Sequence, residues 1–172
     1  MTKTAGQISP HSVEAVRTAA PTGHRITLPG GLATLLASAT GCPHACAPEA
    51  VPATAGAYSL AIALPVSVSL RVRGRLAAVP AGAYVYCGSA CGPGGLRARL
   101  GRHLRPDKAV RWHVDRLTAR AARIEPWPAV GEAECSLVNT LLATGAFETP
   151  VPGFGSSDCR SCPSHLLLYR AS

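Results

Sequence analysis

Residues 82–105 read GAYVYCGSACGPGGLRARLGRHLR, and this stretch decides the fold. Residues 83–87 (AYVYC) are apolar, aromatic and β-branched, which predicts a strand. Residues 88–95 (GSACGPGG) form a loop, since glycine and proline break regular structure. Leu96, Leu100 and Leu104 then repeat at the spacing of one helical face, with Arg97, Arg99, Arg102 and Arg105 around it. Pro106 stops that helix.

Toward the N-terminus, residues 58–64 (YSLAIAL) read as an extended apolar strand. In residues 66–73, Val66, Val68, Leu70 and Val72 face one way, while Ser67, Ser69, Arg71 and Arg73 face the other, as in a half-buried strand. Turns at Pro65, Gly74 and Pro80-Ala81-Gly82 make a meander through residues 76–79 into the strand at 83–87. Toward the C-terminus, residues 109–120 predict a helix with Val110, Val114 and Leu117 on its inner side. Residues 124–130 carry two prolines and read as irregular chain or a short edge strand. Residues 131–143 predict a third helix, with Cys135, Val138, Leu141 and Leu142 inward and Gly145 ending it. Residues 149–163 form a Gly/Pro/Ser loop, and residues 165–169 (HLLLY) a last strand. The expectation is an α+β fold: a small antiparallel sheet of three to five strands flanked by about three helices, over residues 55–172. Residues 1–54 are rich in Ala, Thr, Pro and Gly and predict a low-complexity, disordered or loosely attached extension, with short helices at 12–20 and 32–39.

The chain carries 17 Lys+Arg against 9 Asp+Glu, a net charge of +8, and most of the cations are arginine. The guanidinium fork suits phosphate oxygens, so charge alone admits a nucleic-acid partner, although an Arg-rich solvated surface gives the same balance. Seven cysteines, an odd number, without a clear secretory signal argue for reduced thiols or a metal site and for a cytoplasmic location. No apolar run reaches the roughly 18 residues of a membrane span, so no membrane partner is expected. Cys42, His44 and Cys46 have no second ligand pair nearby.

A Gly-x-Tyr opens the first strand (Gly56, Tyr58), and a Tyr-x-Gly closes a later one (Tyr86, Gly88), followed at once by Ser89. Arg99 lies 11 residues past Gly88, His103 four further, and Glu134 opens the last helix. This order resembles the GIY-YIG endonuclease superfamily. More closely, it resembles a branch of formerly unknown function, sometimes fused to endonuclease III. The stretches AGAYVYCGSA, GLRARLGRHLR, RWHVDRL, GEAECSLVNTLL and VPGFGSSDCRSCPSHLLLY carry the likeness from Gly56 to Tyr169. The motifs are GAY and YCG rather than GIY and YIG, and the altered middle positions are packing residues. The interval from Tyr58 to Tyr86 is longer than in many members, as though two strands were inserted. Tyr84, in a second Gly-x-Tyr, is a stand-in for Tyr58.

The resemblance implies a metal-dependent endonuclease acting on DNA, in repair, with a separate repair protein as a source of specificity. By the same likeness Tyr58 acts as, or positions, the base for the attacking water, and Tyr86 helps place water and phosphate. Arg99 stabilises developing charge, His103 contacts phosphate or assists proton transfer, and Glu134 holds Mg²⁺ or Mn²⁺, a hard ion that prefers carboxylate oxygen. Arg97, Arg102, Arg105 and Ser89 are the expected nucleic-acid contacts. A tyrosine of ordinary pKa near ~10 is a poor base at neutral pH, so Tyr58 needs the metal or Arg99 beside it. Read singly, Tyr58 and Tyr86 are ordinary sheet aromatics, Arg99 a solvated helix arginine and His103 a surface or capping histidine. Glu132 competes with Glu134.

Cys159, Cys162 and His165, with Cys135 and His113 as further candidates, have the reach of a structural zinc site. A buried thiol pair packing a loop is the other reading. Trp112, His113 and Asp115 are candidates for the cleft, with core packing the expected place of Trp112. Two other functions fit the sequence: a non-catalytic DNA-binding module on the same scaffold, and a zinc- or thiol-dependent regulatory protein.

Overall fold

The structure, a computed structural model, describes residues 27–157 and 159–170. The short helix expected at 12–20 lies outside the described residues. The architecture is α+β. Strand β1 (Gly56–Leu64) is buried at all nine positions, which requires cover on both faces of its sheet. It pairs antiparallel with β4 (Gly82–Ser89), in a register running from Ala57 opposite Ser89 to Leu64 opposite Gly82. Its other edge takes β5 (Arg123–Val130), and β7 (Leu166–Tyr169) and β6 (Phe147–Glu148) complete a five-stranded antiparallel sheet, β5-β1-β4-β7-β6. The expected irregular stretch at 124–130 is thus a full edge strand. Edge position explains its prolines: Pro126 and Pro128 need no ladder donor on the open side.

Strands β2 (Val68–Val72) and β3 (Arg75–Val79) form a separate two-stranded sheet rather than part of one meander. The buried positions of β2 alternate as its sequence predicts, with Val68, Leu70 and Val72 inward. Val66, expected to join them, precedes the strand and is exposed.

One face of the main sheet presents Tyr58, Leu60, Ile62, Leu64, Tyr84 and Leu166 to helix α2 (Gly95–Leu104), helix α3 (His113–Thr118) and the β2–β3 hairpin. The other face, Ala57, Ala61, Val85, Cys87 and Trp127 among it, packs on helix α1 (Gly30–Thr40) and helix α4 (Glu134–Ala143).

The short helix expected at 32–39 is present as α1, and its packing corrects the reading of a loose extension for residues 27–54. Leu32 and Leu36, one turn apart, are buried against α4 and the sheet, each contributing about 2 kcal/mol of apolar transfer. The other side of α1 is made of Ala, Ser and Thr, so its amphipathic contrast is too weak to tell a docked helix from a loosely attached one. Residues 42–54 are also tied down: Cys46 N–H donates to the Pro126 carbonyl, and Leu96 N–H at the start of α2 donates to Thr54 O at 2.9 Å. That last bond satisfies one of the orphan donors of a helix N-terminus. Helix α3 is shorter than its predicted 109–120 span, and Val110 lies outside it, exposed.

Candidate active site

Tyr58 on β1 sits directly opposite Gly88 on β4. A Cβ at Gly88 would overlap the Tyr58 ring, so glycine there lets the ring lie flat across the neighbouring strand. Tyr86, two residues before Gly88, shares that face, and the two ring centroids are 6.4 Å apart. Tyr84 is on the same face but buried, with its hydroxyl donating to Pro80 O at 2.7 Å. It belongs to the core and does not stand in for Tyr58.

Helix α2 brings His103 onto this pair. His103 is fully buried, and its Nε2 lies 2.7 Å from the Tyr58 hydroxyl. Its Nδ1 has no hydrogen-bond partner and lies 3.8 Å from Asp115 Oδ1. A lone pair on Nδ1 would face a carboxylate, so the favourable tautomer carries its proton there. Nε2 is then the acceptor, and Tyr58 donates to it. Burial pushes the His103 pKa down to about 3, against the pull of Asp115, so the imidazole is neutral near pH ~7.

Asp115 orders the back of the site. It is fully buried, takes both Arg102 Nη atoms at 2.9 Å, and accepts backbone N–H bonds from Arg111 and Trp112 at the start of α3. Burial opposes its ionisation, but these donors together hold its pKa down at about 2. Arg102 also donates to Ala109 O, so its Nη groups are committed and it is a structural residue, not the expected free phosphate contact.

Arg99 is different. It is half-buried and stacks on Trp112, with its Cζ 4.3 Å from the ring centroid, and no side-chain hydrogen bond or ion pair engages it among the described residues. Burial raises the pKa of Tyr58 well above normal and that of Tyr86 to about 12, and the Arg99 guanidinium pulls both the other way. Trp112 is 37% exposed and also carries Arg102, at 3.9 Å, so it is a platform for two guanidinium groups rather than the expected core residue.

Glu134 opens α4, is half-buried, and makes no ion pair among the described residues. Its charge is one of the causes, after burial, that raise the pKa of Tyr86. Glu132 lies exposed in the preceding turn. Of the other expected contacts, Ser89 is half-buried with its hydroxyl at Cys91 Sγ, and Arg105 lines an open pocket with Lys108 and Arg111. Arg97 Nε is tied to Val51 O at 2.8 Å. Sequence reasoning missed the structural pairing of Arg102 with Asp115. The signal was present in Trp112-His113-Val114-Asp115, where an acidic side chain three residues past a helix start reaches back to its N–H groups.

A second constellation lies on the other sheet face. Cys135 in the first turn of α4, Cys159 and Cys162 on the following loop, and His165 before β7 place one donor atom each within 4.8 Å of one another. Cys135 and Cys159 Sγ atoms are 3.3 Å apart. Hydrogen bonds, from Ser161 first, draw the Cys159 thiol down to about 5, and burial pushes Cys162 up to about 12. His165 is buried, and its Nε2 has no partner among the described residues. This Cys3His cluster can hold a metal ion such as zinc. His113 is not part of it and packs on Phe154 instead. Cys42 and Cys46 lie with their Sγ atoms 3.2 Å apart, but His44 offers them only its backbone carbonyl.

Among the described residues no helix is long and apolar enough to cross a membrane. No curated protein and no solved structure matches the chain. A family model described as "Domain of unknown function DUF123" matches residues 57–172, well over half the length, and the chain belongs to that family.

Proposed function

We propose that this domain is a metal-dependent nuclease of the GIY-YIG kind, hydrolysing phosphodiester bonds of nucleic acid, DNA foremost. The observation that carries the reading is the hydrogen-bonded Tyr58–His103 pair, with Tyr86 beside it and the charge of an unengaged Arg99 acting on all three. Arginines of a merely basic surface do not need to be stacked on a platform beside one buried and one half-buried phenol. Glu134 fits a hard divalent ion: a carboxylate without a cationic partner can hold Mg²⁺ or Mn²⁺ together with water and substrate oxygens. Such an ion supplies Lewis acidity toward the phosphoryl oxygens.

The chain's own residues supply the rest. Tyr58 is a phenol at neutral pH, so it positions the attacking water rather than acting as a standing base: its hydroxyl donates to the neutral His103 Nε2, and its oxygen lone pair accepts from the water. As that water forms its O–P bond, its proton leaves to a substrate phosphate oxygen or to solvent. Arg99 donates to the phosphoryl oxygens as charge builds there, a role worth about 3 kcal/mol for one well-placed donor. The leaving oxygen departs with the bond electrons and is protonated by solvent.

Cleavage of labelled DNAs with Mg²⁺ or Mn²⁺ tests this. Wild type is expected to cut, while Glu134→Ala and Arg99→Ala lose at least about a hundredfold with folding intact. Salt-sensitive binding without cutting would instead favour a binding module.

A structural zinc at Cys135, Cys159, Cys162 and His165 completes the reading. Three thiols and a buried imidazole whose Nε2 has no partner among the described residues make the four-ligand donor set that structural zinc takes, whereas a disulfide would leave one thiol and His165 without a role. One zinc per purified chain, lost in Cys162→Ser, is the expected metal analysis.

A further inference from the structure

A groove of about 720 Å³ runs from the tyrosine site between the β2–β3 hairpin and residues 110–116. Tyr86 is part of its lining. Arg71, Arg111 and Arg116 also line it, and no acidic residue does among the described residues. Among the described residues neither Arg111 nor Arg116 has a side-chain hydrogen bond, whereas Arg71 reaches only the carbonyl of Gly74 in its own turn. The same groove holds Leu76 (73% exposed), Val110 (52%) and Trp112, three of the large apolar side chains that the described surface leaves open. Leu76 on the hairpin and Val110 line the same basic groove, and apolar side chains grouped in one groove mark a surface that a ligand covers.

We infer that this groove holds an unpaired strand of nucleic acid leading into the tyrosine site, so that the substrate is a single strand, or a flap or branch that carries one. The two chemistries of the groove match the two parts of such a strand. Guanidinium groups meet phosphates, and apolar side chains meet the faces of unstacked bases. In an uninterrupted duplex the base faces are stacked inside and only edges and backbone are offered, so Leu76 and Val110 would lie against phosphate. The β2–β3 hairpin, which interrupts the β1–β4 pair, thereby forms one wall of the substrate track. The inference rests on the nuclease reading for where the strand is cut, and not for how it is bound.

The test uses the full chain carrying Glu134→Gln, without added metal, and fluorescence anisotropy at fixed salt. The probes are a labelled single strand, a blunt duplex of the same length, and that duplex with a single-stranded flap. The single strand and the flap are expected to bind about tenfold or more tighter than the blunt duplex. Leu76→Ala with Val110→Ala should collapse that preference to about threefold or less. Both positions are exposed, so the fold is undisturbed. Arg116→Ala should weaken all three probes and flatten the salt dependence. A matched single-stranded RNA that binds tighter than the DNA supports the groove and assigns it to RNA. Equal or tighter binding of the blunt duplex, or a preference unchanged in the double variant, overturns the inference. Strand-selective binding in a protein whose wild type cuts nothing leaves the groove standing and removes the nuclease reading alone.

Discussion

Acid is the perturbation that reaches His103 first. The imidazole is fully buried, with burial pushing its pKa down to about 3, against about 6.5 in an unfolded chain. Below the unfolded value the unfolded chain takes up a proton that the folded chain refuses, so stability is complete above about pH 6.5 and is lost as pH falls toward about 3. Proton linkage with these two values gives a loss of about 1.3 kcal/mol between about pH 7 and pH 5.5, and about 2.5 kcal/mol by about pH 4.5. Asp115, held down at about 2, begins to withdraw its own contribution only below its ordinary value of 3.8, outside this window. With a urea slope of about 2 kcal/mol per molar, the first loss moves the midpoint down by about 0.6 M. Urea titrations of wild type and His103→Gln across this range isolate the group by difference. Gln keeps a hydrogen-bonding partner for Tyr58 and does not titrate. If both proteins lose stability with the same slope, the imidazole is not held neutral and the inferred tautomer falls with it.

The remaining structural claims have equally direct tests. Gly88→Ala forces a methyl against the Tyr58 ring, and about 1–3 kcal/mol of stability should be lost in thermal unfolding together with nucleic-acid cleavage. Asp115→Asn leaves the Arg102 guanidinium without its counter-charge and weakens the start of α3, so about 3 kcal/mol should disappear from denaturant unfolding. Leu36→Ala should cost about 3 kcal/mol in the same assay, an effect absent if residues 30–40 were loosely attached.

Much of the sheet was legible because its strands carry their own periodicity. The alternation of Val68, Leu70 and Val72 and the run Tyr58 to Leu64 both became strands close to where they were read. What could not be read was partnership. The nine buried positions of β1 demand a layer of helices on both faces, yet the helix expected at 32–39, which helps supply one as α1, sits in an Ala-, Thr- and Pro-rich segment, and nothing in its sequence says that it docks on the sheet. The meander failed for a related reason: consecutive strands often pair, and nothing local in residues 65–81 says that the hairpin folds away so that β1 meets β4. At the site, Tyr58, Tyr86 and His103 were found in order along the chain and converge in space. Trp112 was misplaced because a lone Trp in a helical stretch reads as core, whereas here two cations hold it at the surface.

Charge is where sequence and structure differ most, and the difference bears on function. Composition shows a chain rich in arginine but gives each arginine the same weight. The structure sorts them. Arg102 is locked to Asp115, Arg97 to Val51 O and Arg73 to Ser156 O, so these hold the fold together and have little left for a ligand. Arg99, Arg111 and Arg116 have no such partners among the described residues, and the first acts on the tyrosines while the other two line the groove that leads there. An engaged guanidinium beside an open one also explains how Arg99 can stay in place without a partner of its own. Arg102 and its carboxylate fix the start of α3, the start of α3 fixes Trp112, and the Trp112 ring carries Arg99. Removing Asp115 should therefore disorder Arg99 without touching it. In a variant stable enough to assay, such as Asp115→Asn at low temperature, cleavage should fall far more than binding does. Equal losses in the two would mean that Arg99 is held by something other than this chain of contacts.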